Sequence, residues 1–403
     1  MRTVGCTGSR RASNKLLIYA LFLAALFFLG GAARSSRLSG ASPPKDKASF
    51  TGRIVFEHAP DSSAPWPTLD IYSVNADGTQ LQELTIDGHS HDPSWSPDGR
   101  HILYIHDNFW PEMPPGYVHP PYASHFPIEL YVMDSDGGNA HFLRRFDGPI
   151  SAAAWSPDGK SLAIHCIRQF GRGEPGTGGK PGSGLYLIPV DGQGEVGPVF
   201  SPTATNPAWS PDGRKLAFSV YADATGSTIA VGDADGSHQF QLLNPVLYIA
   251  SPYPQAHEDA ESPAWSPDGS QIAFGGFPMT LTNNTGPLYG GGRQQQIFLM
   301  SADGSGRRQL TTDDEWQCAH PTWSPDGTEI AFSCRSTWEP CTGGGFNGEG
   351  KGIGPGPWEG SAPKLPGPGC VRRVFVLHIN DPTAKPVQIT QHDGANPVFA
   401  PAP

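Results

Sequence analysis

One seven-residue phrase, Pro-x-Trp-Ser-Pro-Asp-Gly, returns along this chain with little decay. It stands at 93–99, 207–213, 263–269 and 321–327, and at 153–159 with Ala in place of the leading Pro. A worn copy, Asn-Pro-Val-Phe-Ala-Pro, occupies 396–401. The marker aromatics are Trp95, Trp155, Trp209, Trp265, Trp323 and Phe399. A repeat at this period means supersecondary units that cannot bury their apolar faces alone and must stack on copies of themselves.

Each unit has the same grammar. Pro-Asp-Gly is turn chemistry: Pro presets φ, Asp bonds nearby backbone, and Gly accepts positive φ. An apolar run follows, at 101–105, 161–164, 215–219, 271–274 and 329–333, rich in Ile, Phe and Ala, which reads as a strand. A second hairpin is expected from 70–74, 129–133, 185–189, 228–231, 296–300 and 373–377, most of them running into another Asp-Gly turn. A short strand then closes the unit, as at 81–85, 309–311 and 387–390. Four strands per repeat, arranged radially, make a β-propeller blade. The first apolar run, 53–57, has no Trp strand before it, and the last, around Phe399, has no apolar run after it. The expectation is an all-β, six-bladed propeller whose two ends pair within one blade, leaving no open sheet edge. The marker aromatics and the Pro-Asp-Gly residues are then structural, with each aromatic buried between blades.

The extended phrase, Pro-x-Trp-Ser-Pro-Asp-Gly-x-x-Ile-Ala-Phe followed by Ile-Tyr-x-Met-x-Ala-Asp-Gly, resembles the TolB-type propeller repeat over about residues 53–401. The resemblance implies the fold. TolB carries a separate α/β domain before its propeller, whereas the first strand here follows only the short polar stretch 34–51. The Tol-system role is therefore not carried over.

Residues 1–33 read as different material. Arg2, Arg10, Arg11 and Lys15 precede the apolar run 16–29, and Gly-Gly-Ala-Ala ends at Ala33. That order is a secretory signal with a small-residue cleavage site; a membrane anchor over 16–33 is the rival, since the stretch is just long enough to span a bilayer. The division expected is a signal or anchor at 1–33, a linker at 34–51 and the propeller at 52–403, exported to the periplasm or the exterior. The net charge of −11 grows more negative once the basic leader is removed, which argues against nucleic acid, whose phosphates would be repelled. Membrane contact is expected through the leader alone, and the exported part is expected to be a monomer.

Export permits disulfides. Centring the blade-five turn on Asp326-Gly327 places Cys334 nearly opposite Cys318, and Cys341 and Cys370 flank a long Gly/Pro-rich insertion. Two bridges are expected, Cys318–Cys334 and Cys341–Cys370, with Cys334–Cys341 as the alternative and Cys166 left free and buried; spacing alone does not fix connectivity.

Topology also sorts the loops. The first and third connections, mostly tight Asp-Gly turns, fall on one face. Every long insertion, at 107–128, 168–184, 275–295 and 335–372, falls on the other. Loops of that length are usually functional or disordered. The first contains Phe109, Trp110, Tyr117 and Tyr122, which suit a protein or sugar partner or fold back over their own blade. The inter-blade segments add His91, Asp92, His257, Glu258, Glu261 and His320, with Asn206 and Asn396 before the same Pro. If the Trp strand is innermost, these ring the mouth of a central channel. They could form a ligand site, or a divalent-metal site from His91, Asp92, His257, Glu258 and His320; the plainer alternative is caps and turn stabilisers. No nucleophile elbow, phosphate loop or zinc-binding His-Glu-x-x-His helix is found in the sequence, and no hydrolase domain beyond the propeller, catalytic residue or bound cofactor is expected. The chain is expected to be an exported non-enzymatic binding protein that offers its loop-rich face to a protein or cell-envelope polymer. The alternative is a channel-mouth enzyme such as a metal-assisted polysaccharide lyase or a cyclase.

Overall fold

A computed structural model describes residues 50–59, 68–107, 128–146, 150–166, 184–190, 199–200, 203–222, 226–243, 260–276, 295–313, 316–336, 372–391 and 394–402. The described residues form six antiparallel sheets. Blade I combines both ends of the chain: Ala395–Phe399 is innermost, then Arg53–His58, Asp70–Asn75 and Gln82–Glu83. Blade II runs Ser90–Trp95, His101–Asp107, Ile128–Asp134 and His141–Phe146, and blade III Ile150–Trp155, Ser161–Cys166 and Gly184–Pro189. Blade IV is Ala204–Trp209, Lys215–Ala222, Gly226–Asp233 and Phe240–Gln241; blade V is Ala260–Trp265, Gln271–Gly276, Gln296–Ser301 and Arg308–Gln309; blade VI is Trp316–Trp323, Glu329–Ser336, Arg372–His378 and Val387–Gln388. Blade III shows three named strands among the described residues. Its Val199 N–H still donates to the Leu185 carbonyl at 2.8 Å, the bond made elsewhere by the residue that directly follows the outer strand.

The inner strands of successive blades touch in a closed cycle, with Ala395–Phe399 between Trp316–Trp323 and Ser90–Trp95. The ends pair as expected, Ile54 opposite Phe399 and Val55 opposite Val398. The core is a ring of six apolar clusters, one at each blade-to-blade interface. Second strands are buried on both faces, so they read as continuous apolar runs: Ile54 and Phe56 face blade VI while Val55 faces blade II.

The repeated phrase explains itself at these interfaces. In blade II, Ser96 Oγ donates to Asp98 Oδ1 at 2.6 Å, the same oxygen accepts the Arg100 N–H, and the His101 N–H returns to Ser96 Oγ. The same bonds recur at Ser210-Asp212, Ser266-Asp268 and Ser324-Asp326. Gly99, at φ 66°, lies where a side chain would meet Pro401, and Gly159 lies likewise against Pro97, so each turn packs on the proline of the preceding blade. Three marker tryptophans also bond backward: Trp95, Trp209 and Trp323 donate to the carbonyls of Val398, Ala154 and Ala264 at 3.0–3.3 Å.

Two expectations need correction. Trp95, Trp323 and Phe399 are buried, but Trp155, Trp209 and Trp265 are only half-buried, packed against their inter-blade clusters and not enclosed by them. Cys166 is fully buried yet disulfide-bonded, not free. Since Cys318 and Cys334 bridge each other, directly opposite in register as expected, the partner of Cys166 is Cys6, Cys341 or Cys370. All three lie outside the described residues, as does the expected Cys341–Cys370 bridge.

The lead into the first strand is anchored to blade VI. Phe50 is buried and stacks on His378 at 4.4 Å, and the Thr51 N–H bonds to Glu329. Glu329 is buried 3.5 Å from His378, with its second oxygen unpartnered. Burial, helped by the Asp326 charge, pushes its pKa up to about 7. The fold therefore binds this proton more tightly than the unfolded chain does. Stability from this site is greatest below the ordinary glutamate pKa, declines as pH rises to about 7, and is flat above. Glu329→Gln is expected to flatten that segment of the pH–stability curve, measured by urea denaturation from pH 4 to 8. Trp323→Ala is expected to cost about 3–5 kcal/mol, and Trp155→Ala less, in the same assay.

Candidate functional site

Every inner strand carries an irregularity near its start. Register slips between His91 and Ser94, Thr205 and Ala208, Glu261 and Ala264, Ala319 and Thr322, and opposite Val55 and Glu57 in blade I. At each, the residue before Pro has a left-handed backbone: Asp92 (φ 49°), Asn206 (48°), Ser262 (54°), His320 (54°) and Asn396 (48°). Asn, Asp and His tolerate that region best among non-glycine residues. Blade III has Ala153 in place of Pro, slips elsewhere, and has no left-handed residue there. The polar residues expected in inter-blade loops thus belong to the inner strands themselves. Part of their recurrence is backbone-driven, as the plainer reading had it.

The bulges nonetheless aim these side chains together. Consecutive residues of a regular strand point to opposite faces. At Asp92 the turned backbone instead brings its Oδ2 to 3.1 Å from His91 Nδ1. Asp92 Oδ1 accepts from Asn396 Nδ2 at 3.0 Å, and the Asp92 N–H donates to Glu57 Oε2 at 3.2 Å. His91 Nε2 lies 3.3 Å from Asp107 Oδ2. Ligand atoms of Glu57, His91 and Asp92 all fall within 4.8 Å of one another. Burial raises the Glu57 pKa, and the Asp92 charge adds to that. Burial alone would lower that of His91, but its bonds to Asp107 and Asp92 outweigh it and hold the imidazole well above its ordinary value.

Across the mouth, Gln295 Nε2 donates to Glu261 Oε1 at 2.6 Å and Arg335 Nε to Gln317 Oε1 at 2.6 Å. Burial lowers the His320 pKa and the Arg372 charge lowers it further, against Glu261 and Asp92. In blade III, Ser151 Oγ lies 2.5 Å from Nδ1 of His165, whose pKa burial lowers to about 4. Buried atoms without a partner include Asn396 Oδ1, His320 Nδ1, Ser262 Oγ and Thr205 Oγ1, all on inner strands.

Of the residues expected to form the site, His91, Asp92 and Asn396 meet, while Asn206, Glu261 and His320 sit at matching places around the ring. His257, Glu258, Phe109, Trp110, Tyr117 and Tyr122 lie outside the described residues. Glu57 and Asp107 were missed. Both end apolar second-strand runs, Ile-Val-Phe-Glu and Ile-Leu-Tyr-Ile-His-Asp, and an acid closing such a run was the available signal.

A family model described as the TolB beta propeller domain matches residues 117–337. The uncharacterized peptidase YuxL of Bacillus subtilis is 25% identical over 228 residues, 49% of this chain and 29% of that protein. The Tol-Pal system protein TolB of Alcanivorax borkumensis is 31% identical over 97 residues, 24% of this chain and 20% of that one. The chain thus spans less than a third of the length of these curated relatives. The crystal structure of TolB from Acinetobacter baumannii superposes with a TM-score of 0.57 at 16% identity, over 89% of this chain and 68% of that one, which is a likeness of fold.

Left-handed backbone costs a non-glycine residue about 1–2 kcal/mol, most for branched side chains. Asn206→Val is expected to lose about that much stability by denaturant titration, with Asn206→Gly near neutral.

Proposed function

Because the chain belongs to the TolB β-propeller domain family, we propose that it is an exported, non-enzymatic binding protein whose channel mouth engages a protein or cell-envelope polymer. The observation that carries this reading is the asymmetry of the two faces. One is trimmed to Ser-Pro-Asp-Gly turns packed on their neighbours. From the other depart the long connections 60–67, 108–127, 167–183, 244–259, 277–294 and 337–371, around a ring of polar inner-strand residues. A rim with uneven loops and converging polar groups gives a partner both surface and specificity. The leader at 1–33 supplies export and, if retained, an anchor through 16–33; 34–51 is a spacer before the propeller. The partner side excludes nucleic acid on charge, and the propeller works as a monomer.

A second reading, an enzyme in the channel mouth such as a metal-assisted polysaccharide lyase or a cyclase, is favoured by the approach of Glu57, His91 and Asp92. Turnover of polyuronate with added divalent ions would select it.

The test is capture from a cell-envelope extract by the full chain. Deleting 108–127, or combining Glu261→Ala with His320→Ala, is expected to lower capture about tenfold or more. Lys160→Ala and Arg214→Ala on the trimmed face are expected to change nothing. Loss of capture in the second pair and not the first would sink the reading.

A further inference from the structure

The group at the junction of blades I and II has the composition of an ion site. Glu57 comes from the second strand of blade I, and His91 and Asp92 come from the inner strand of blade II. Two neighbours in sequence share this site only because Asp92 is left-handed. Bulges of this kind re-aim side chains and recur beside functional sites.

We propose that the channel mouth binds one divalent first-row transition ion through Glu57, His91 and Asp92. The three offer ligand atoms within 4.8 Å of one another, close enough to converge on one ion. An independent observation is the layer behind them. Asp107 Oδ2 faces the far nitrogen of His91 at 3.3 Å, so Nε2–H can donate to a carboxylate while Nδ1 faces Asp92. That carboxylate–imidazole arrangement orients metal-binding histidines and raises their basicity. Asn396 Nδ2 likewise holds the other oxygen of Asp92 at 3.0 Å, while its own Oδ1 is buried there without a partner. Three carboxylates surround a single imidazole here, and the further cation acting on Glu57 is Arg372, on the third strand of the adjoining blade VI. One imidazole with two carboxylates suits manganese, cobalt or zinc; calcium favours a shell of six to eight oxygens. Three protein ligands would leave positions open to a partner group or water. The rival occupant is the His91 imidazolium itself, acting as an internal cation between Asp92 and Asp107.

The inference concerns the mouth assigned to partner binding but does not need that reading, since ion uptake is measured with no partner present. The full chain, stripped with chelator, is titrated with Mn2+, Zn2+ and Ca2+ in separate calorimetric runs. One Mn2+ or Zn2+ per chain is expected. Asp107→Asn should weaken uptake about 10–100-fold. Glu57→Gln and Asp92→Asn, which keep size and, for Asn, tolerance of the left-handed backbone, should abolish it. In the unaltered chain, bound Mn2+ should broaden the ring resonances of His91 before those of other histidines, a readout independent of how well the variants fold. No uptake, uptake of Ca2+ alone, undiminished uptake by Glu57→Gln, or broadening that spares His91 would each overturn the proposal. The first of these outcomes assigns the imidazolium as the resident cation.

Discussion

The pairing of Arg53–His58 with Ala395–Phe399 joins the two ends of the propeller, and the closed ring exists only because it forms. Every other strand pair within a blade joins segments that follow one another along the chain; this one closes a loop of the whole propeller. Closure on that scale carries an entropic cost on the order of 5 kcal/mol beyond a constant. The offset is apolar. Phe399, Ile54 and Phe56 pack with Val374, Val376 and Ile389 of blade VI in one buried cluster. Phe50 and Thr51 then extend the seam onto His378 and Glu329. The channel, its ring of inner strands and the meeting of Glu57 with Asp92 and Asn396 all follow from that closure, since Asn396 and Glu57 lie on the two strands it joins.

The blade count, the end-to-end closure, the trimmed face and the Cys318–Cys334 bridge were legible because each rests on local chemistry repeated in phase. A Ser-Pro-Asp-Gly turn is specified by its own four residues, and its hydrogen bonds recur nearly unchanged from blade to blade. The site was legible in part. Residues before Pro were picked as polar and recurrent, and they do take equivalent places on the inner strands, but left-handed backbone selects Asn, Asp and His for reasons unrelated to ligands. Sequence cannot separate the two causes. Glu57 closes an apolar run but was not picked out, because its role depends on which blade lies beside it. Cys166 was misjudged for the same reason, its partner being set by tertiary proximity rather than spacing.

The bulge residues show how one local distortion can meet two demands. A left-handed residue costs about 1–2 kcal/mol, yet it turns a side chain toward the channel that a regular strand would send between blades. Asp92 gains hydrogen bonds to Glu57 and Asn396 in exchange. Ser262 and His320 gain less, since Ser262 Oγ and His320 Nδ1 are buried without partners. A stability requirement alone would favour glycine at these places.

The same logic explains why length accumulates on one face. On the trimmed side, Gly99, Gly159, Gly213, Gly269 and Gly327 each rest on a proline of the preceding blade, and each turn is closed by Ser and Asp bonds. Adding residues there would separate a glycine from its neighbour's proline and open a blade interface. On the opposite side, the connection between second and third strands departs after the last registered pair, such as Asp107 with Ile128 or Arg335 with Arg372. It can lengthen without disturbing a packed turn. Added length is therefore channelled by packing to the face where the polar ring opens, so the packed scaffold and the loop-rich face are separated by the physics of the repeat.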